Sequence, residues 1–150
     1  MASDPVEGEM LLAARRLAHP ALERLGHIMV DDIAVPRSAL AELLEGTARI
    51  GEKYQVTVAM VGHAGDGNMH PNLIVDRADP DSQRRCLLAF DAIMQLGLDL
   101  GGTCTGEHGI GYGKMDFMVA EHGPALDVMR SIKQALDPNG IMNPGKIVRI

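Results

Sequence analysis

The hydrophobic positions of this chain follow two different spacings, and the changes between them divide it into helices and strands. After a polar lead-in over residues 1–9, apolar residues recur at helical spacing through residues 11–26, with a break expected near Pro20. A strong helix is predicted over residues 36–54, because Pro36 suits a first helical position and the following leucines form one stripe. Further helices are predicted from Pro80 to Gly101-Gly102 and over residues 115–123 and 124–137.

β-rich segments lie between these helices. Strands are predicted over residues 27–35, 55–63 and 69–76, with a further short strand at the start of the glycine-rich segment 103–114. The loop AGDGN between the second and third strands has the glycine and Asp/Asn content of a hairpin. Residues 27–105 therefore have the order β-α-β-β-α-β. This order predicts an α+β fold, a ferredoxin-like split βαβ antiparallel sheet with helices on one face and extra C-terminal helices.

Composition narrows the class of protein. The chain has 150 residues, 46% of them hydrophobic, enough for one domain with a core, and no linker divides it. A net charge of −6 argues against nucleic acid and anionic membranes as partners. The two cysteines suggest no disulfide framework, and the longest apolar runs are too short to span a bilayer, so no transmembrane segment is expected. The simplest interpretation is a cytoplasmic protein.

The first candidate chemistry is the hairpin GHAGDGNMHPN, residues 62–72. If His63 and His70 are cross-strand neighbours, they point to the same face, and Asn72 joins them there. Facing residues have Cβ atoms about 5 Å apart, which would let both imidazoles bind one metal ion. The alternative is that the histidines are ordinary surface or core residues and that Asp66-Gly67-Asn68 is only a turn.

A second candidate segment is TGEHGIGYGK, residues 105–114, where Glu107 and His108 lie between glycines that let the backbone bend sharply. Two histidines and a glutamate, with positions left for water or substrate, form a plausible catalytic metal set. The alternative is a mobile loop with Lys114 as a solvated charge. A phosphate-binding loop is ruled out, because the glycine spacing before Lys114 is wrong.

Taken together, GHAGDGNMHPN, TGEHGIGYGK and DPNGIMNPGK, in this order and near these spacings, resemble the C-terminal domain of FAD-linked oxidases. The pattern is most similar to the glycolate oxidase flavoprotein subunit, D-lactate dehydrogenase and D-2-hydroxyglutarate dehydrogenase. The resemblance extends to AARRLAHPAL and DDIAVPRSALAELL, and so covers nearly the whole chain.

The resemblance implies a role for particular residues. His63, His70 and Glu107 would bind a divalent metal, zinc or manganese. His108 would be the catalytic base that takes the hydroxyl proton while the α-hydrogen leaves as hydride to the flavin, and metal coordination would lower the pKa of that hydroxyl.

Three further residues are implied in binding. Arg15 would clamp the substrate carboxylate, a task that suits a planar guanidinium. The choice of Arg15 over Arg16 depends on register, and either arginine has the alternative of solvating a helix. Asn72 would contact the substrate. Asn143, in the segment Asn143-Pro144-Gly145, would contact the flavin, the alternative being only a turn.

The resemblance also predicts the setting. The family's FAD-binding domain does not occur within residues 1–150, so FAD belongs to the intact enzyme and is not expected on this chain, the C-terminal substrate- and metal-binding part. The intact enzyme would oxidise a small D-2-hydroxy acid to a 2-oxo acid and pass electrons to a downstream carrier. A metal-dependent hydrolase with the same ligands and a non-catalytic binding module are the competing hypotheses. An exposed sheet edge or apolar face predicts a homodimer.

Overall fold

The computed structural model describes residues 4–149. In chain order the elements are α1 Pro5–Arg16, α2 Ala18–Glu23, β1 His27–Val30, β2 Ile33–Ala34, a 3₁₀ turn Arg37–Ala39, α3 Leu40–Tyr54, β3 Val58–His63, β4 Asn68–Val75, α4 Pro80–Asp99, α5 Phe117–His122 and α6 Ala125–Leu136. The predicted α+β class is confirmed. No helix in the described part of the chain combines the length and apolar character needed to cross a bilayer.

The sheet is built around β4. β3 pairs antiparallel with one edge of β4, and β1 and β2 pair antiparallel with the other edge. The predicted fourth strand is reduced to a single antiparallel bridge between Ala34 and Thr103. The bridge at Thr103 nevertheless lies beside β2, so the predicted fourth strand lies next to the first. The first and third predicted strands are therefore in the centre of the sheet, which is the spatial order of a split βαβ sheet.

The predicted single strand over residues 27–35 is divided at Asp31-Asp32, which separates β1 from β2. The register with β4 does not slip across the gap: Val30 faces Asn72 before it and Ile33 faces Met69 after it. Asp31 N–H donates to the Pro71 carbonyl at 3.3 Å, but Pro71 has no N–H to return the bond. The ladder is therefore interrupted opposite Pro71, and the two aspartates are released from regular pairing.

The main core lies between the sheet and the pair α3 and α4. Met69, Leu73 and Val75 alternate along β4 toward this side, where they join buried residues of α4 such as Ile93 and Met94. The Asp79 side chain caps α4 by accepting from Asp81 N–H at 2.9 Å, and Pro80 fills its first turn. Burial on one face of β4 leaves Asn68, His70 and Asn72 on the other face.

The N-terminal helices lie beside that second face. The predicted lead-in is wrong from Pro5 onward, because α1 begins there with Asp4 as its N-cap; residues 1–3 of the lead-in lie outside the described range. The predicted break near Pro20 falls instead at Leu17. Pro20 is tolerated in the first turn of α2, where its missing N–H would have had no helical partner.

The extra C-terminal helices are present as α5 and α6, each shorter than predicted. Met118, Leu126 and Val148 form a small second core there, with Ile110 and Met129 packed against it. The predicted strand over residues 55–63 begins only at Val58, because Gln55 closes α3 in a left-handed conformation. The predicted helix from Pro80 ends at Asp99.

Candidate metal and substrate site

The β3–β4 hairpin brings its two histidines to one face of the sheet. They are diagonal neighbours rather than direct partners, since His63 faces Asn68 and His70 faces Val61. Diagonal side chains on one face remain within reach of long or aromatic groups, and here the two rings meet edge to face with centroids 5.3 Å apart. Asn72 lies on the same face, as the period of two requires.

Glu107 lies between the two histidines. Its Oε1 is 3.3 Å from His63 Nε2 and 3.0 Å from His70 Nε2, and the ligand atoms of all three residues lie within 4.8 Å of one another. Two atoms each about 2.1 Å from a common metal ion are roughly 3.0–3.4 Å apart at octahedral to tetrahedral angles. The donor set and its spacing therefore fit a divalent ion with open positions.

His108 stacks on His70, with ring centroids 4.9 Å apart and planes 5° from parallel. Its Nε2 is 3.9 Å from Glu107 Oε1 and its Nδ1 is 3.8 Å from Asp32 Oδ1. The side chain is 43% exposed. His108 is thus adjacent to the candidate metal ligands, with a ring face open to an incoming molecule.

Asp32 is a site residue that the sequence analysis missed. Its carboxylate is fully buried and accepts the backbone N–H groups of Gly106 at 2.6 Å, Glu107 at 2.5 Å and His108 at 3.1 Å. The signal in the sequence was a pair of aspartates inside an otherwise apolar strand, a position where a carboxylate is costly without partners.

Lys114 is the cationic partner of this carboxylate. Its interpretation as a solvated charge is wrong, since it is 2% exposed and its Nζ lies 2.6 Å from Asp32 Oδ1 and 2.5 Å from Asp31 Oδ1. Burial opposes ionisation of Asp32, but the hydrogen bond from Lys114 and those from the Glu107 and His108 amides outweigh it and hold the Asp32 pKa well below its usual range. Asp31, Asp32 and His108 form a second cluster of possible metal ligands, but in it the Lys114 ammonium already neutralises the aspartates in place of a metal ion.

A cavity of about 470 Å³ opens between α1, α2 and the site face of the sheet. The predicted residues Arg15, Asn72, His70 and His108 all line it, together with apolar side chains of both helices and strands. Arg15 Nη2 lies 3.4 Å from His63 Nδ1, whereas Arg16 is paired with Glu9 at 2.8 Å. Arg16 also lines the cavity, but Arg15 is the arginine in contact with a hairpin histidine. Asn72 is anchored through its Nδ2, which donates to the His70 carbonyl at 2.8 Å.

Asn143 lies apart from this cavity. It lines a groove between α6 and the C-terminal tail and has a positive φ of 45°. The tail is joined to the glycine-rich loop: Ile147 N–H donates to the Gly111 carbonyl at 3.0 Å, and Lys146 Nζ lies 5.4 Å from the Tyr112 ring centroid. The predicted flavin contact is thus attached to the loop that carries Glu107, but it does not line the cavity.

The family assignment follows from comparison with known sequences. The family described as FAD linked oxidases, C-terminal domain, matches residues 1–147. This chain therefore belongs to that family of C-terminal domains.

Individual relatives agree. The chain is 39% identical over 143 residues to glycolate oxidase subunit GlcD of Bacillus subtilis, covering 94% of this chain and 30% of that protein. It is 38% identical over 148 residues to GlcD of Escherichia coli K12, with 97% and 30% covered. It is 40% identical over 125 residues to the mitochondrial D-lactate dehydrogenase [cytochrome] of Arabidopsis thaliana, with 82% and 22% covered.

A solved structure shares the fold. The 4-ethylphenol oxidase from Gulosibacter chungangensis, in its isoeugenol complex, matches with a TM-score of 0.58 at 24% identity, covering 81% of this chain and 24% of that one. The chain thus spans about 30% or less of the length of these relatives.

Proposed function

We propose that this chain is the substrate- and metal-binding part of an FAD-dependent enzyme that oxidises a D-2-hydroxy acid of the glycolate or D-lactate type to a 2-oxo acid. The observation that carries the proposal is the convergence of His63, His70 and Glu107 beside one cavity that Arg15 and His108 also line. The names of the related glycolate oxidase subunits and D-lactate dehydrogenase support the substrate class.

Three residues beside the metal ligands would bind the substrate or accept its proton. The Arg15 guanidinium faces the site without a carboxylate partner among its described contacts, and it would bind the substrate carboxylate through two parallel hydrogen bonds. His108, which is half exposed and adjacent to the metal ligands, would accept the proton of the substrate hydroxyl at an imidazole nitrogen. Asn72, held by its own backbone contacts, would orient the substrate between them.

His63, His70 and Glu107 would hold a divalent ion, zinc or manganese, since two imidazoles and one carboxylate suit either. When bound, such an ion lowers the pKa of a coordinated hydroxyl, and the flavin supplies the hydride acceptor. Asn143 would contact the flavin, from a tail tied to the glycine-rich loop. Electrons would then pass from the flavin to a downstream carrier.

Metal binding is the first test. Titration of the purified chain with Zn²⁺ and with Mn²⁺ by calorimetry should show one site, and elemental analysis should find stoichiometric metal. His63→Ala/His70→Ala should lose that site. His27→Ala is the matched control, because His27 also lies on a strand but faces Val75 at the opposite end of β4. Binding that survives in the double variant, or that is lost equally in the control, would contradict the ligand assignment.

The substrate class needs a separate test on the full-length enzyme containing both parts. Arg15→Lys should raise the KM for a 2-hydroxy acid far more than it lowers kcat, because an ammonium cannot reproduce the two-bond clamp. Metal-dependent ester or amide hydrolysis by this chain, without flavin, would instead favour the hydrolase hypothesis. The family comparisons favour the oxidase.

A further inference from the structure

We infer that Asp32, paired with Lys114, is a positioning residue that fixes Glu107 and His108 against the histidine hairpin. The inference rests on the proposed metal site, for which it supplies the support behind the ligands. Neither residue lines the cavity, so their effect would be exerted through the loop they hold.

The first observation is how completely one carboxylate holds the loop. Asp32 Oδ2 accepts three consecutive backbone N–H groups, those of residues 106–108, and Oδ1 accepts Thr105 Oγ1–H at 3.1 Å. Thr105 Oγ1 in turn accepts Gly109 N–H at 2.8 Å. Segment 105–109 has no helix or strand of its own, so these bonds replace the backbone pairing that regular structure would provide.

The second observation is that the far end of the loop returns to the same residue. Lys114 Nζ binds both the Asp32 side chain and, at 2.8 Å, the Asp32 carbonyl oxygen. The loop from Thr105 to Lys114 is therefore tied at both ends to one point in the sheet. Because Lys114 is 2% exposed and Asp32 is fully buried, the pair is shielded from the solvent that weakens surface ion pairs.

The third observation is where that point lies. The register of β1 and β2 along β4 places Asp32 beside His70, in the gap opposite Pro71. The carboxylate thus links the strand that carries one ligand to the loop that carries the next ligand and the proposed base. Groups that orient metal ligands typically change metal affinity by about 10–100-fold when they are removed.

The test uses the whole chain and four variants. Asp32→Asn and Lys114→Met each remove one charge, and the double variant removes both. Asp137→Asn is the matched control: Asp137 also accepts two backbone N–H groups and a lysine Nζ, at the end of α6. Each variant is measured for thermal stability, for amide hydrogen exchange in residues 105–109, and for Zn²⁺ and Mn²⁺ affinity.

In the single variants we expect lower stability, because Lys114→Met leaves the buried Asp32 carboxylate without its cation and Asp32→Asn leaves Lys114 with Asp31 as its one remaining ion-pair partner in the described cluster. In the double variant stability should partly recover, while exchange at residues 105–109 rises at least about 10-fold and metal affinity stays about 10–100-fold below the wild type. Asp137→Asn should lower stability without changing either loop exchange or metal affinity. If Asp32→Asn and the double variant fail to fold, Thr105→Val removes the hydroxyl bonds to Asp32 and from Gly109 but keeps the three backbone N–H bonds to Asp32. It should therefore give a smaller change in the same direction.

Unchanged loop exchange and affinity in the double variant, or in Thr105→Val if that is the variant that folds, would overturn the positioning role. An equal loss of affinity in Asp137→Asn would do so as well. If the wild-type chain binds no metal, the proposed metal site fails, and exchange at residues 105–109 still decides whether Asp32 holds the loop. The two hypotheses are therefore separable.

Discussion

At Gly106 the glycine-rich loop packs so tightly against the hairpin that a side chain there would clash, and this gives a sharp prediction. A Cβ at this position would lie 2.6 Å from Cγ and Oδ1 of Asn68 and 2.8 Å from its Nδ2. Ordinary contact begins at 3.4 Å, so the loop or Asn68 must move by 0.8 Å. Asn68 is only 7% exposed and has little room to turn away. We therefore expect Gly106→Ala to force the loop from the hairpin.

The expected cost is that of overpacking a buried contact, about 1–3 kcal/mol. For a domain of this length each kcal/mol corresponds to roughly 2–4 °C, so Tm should fall by roughly 2–12 °C. Metal affinity should fall as well, because the movement carries Glu107 away from His70. Calorimetric unfolding, with and without Zn²⁺, measures both effects.

Two further variants test the reasoning. Asn68→Ala removes all three clashing atoms, so Gly106→Ala should cost less in that background, with a coupling energy of about 1 kcal/mol or more in a double-mutant cycle. Gly113→Ala lies in the same loop with no atom within 4 Å of its added Cβ, and it should be close to neutral. Equal effects of Gly106→Ala and Gly113→Ala, or additive effects with Asn68→Ala, would refute the steric argument.

Four other expectations follow. Gly67→Ala should cost about 3 kcal/mol or more in unfolding free energy, because φ is +80° and the added Cβ would lie 2.2 Å from the Val35 carbonyl oxygen; an unchanged Tm would contradict this. Burial, followed by the hydrogen bond and charge of Glu121, raises the pKa of the Cys104 thiol to about 12, so native protein at pH 8 should resist iodoacetamide at Cys104 until urea unfolds it. Burial alone would raise the Glu121 pKa, but hydrogen bonds led by that from Cys104 N–H outweigh burial and lower the pKa. The Glu121 carboxylate should therefore stabilise the fold above pH 4.5, and this stabilisation should be lost as the pH falls through the lowered pKa of the folded protein. Glu121→Gln should weaken this pH dependence of the unfolding free energy on the acid side. The apolar surface of α6 and the tail, where Leu136 is 76% exposed, should drive self-association, and a monomer by light scattering at high concentration would count against it.

Part of the fold could be predicted because its signals are local. The hairpin was correctly placed between two β-rich segments, since its glycine and Asp/Asn loop fixes where the chain turns. The helix after Pro80 was also correctly placed, since its apolar spacing and N-cap lie in adjacent residues. The break in the first strand was missed, because it depends on Pro71, a residue 40 positions away whose missing N–H matters only once the strands pair.

The sequence by itself determined the family, the order of strands and helices, and the residue types able to bind metal and move a proton. Those properties depend on side-chain chemistry and short-range spacing, which are written into consecutive residues. Only the tertiary structure decided that Glu107 lies between His63 and His70, that Arg15 rather than Arg16 contacts His63, and that Asp32 and Lys114 are buried beneath the loop. Each of these depends on contacts between residues far apart in the chain. A charge that water would stabilise at the surface must, once buried, be paired with an opposite charge or with hydrogen-bond donors.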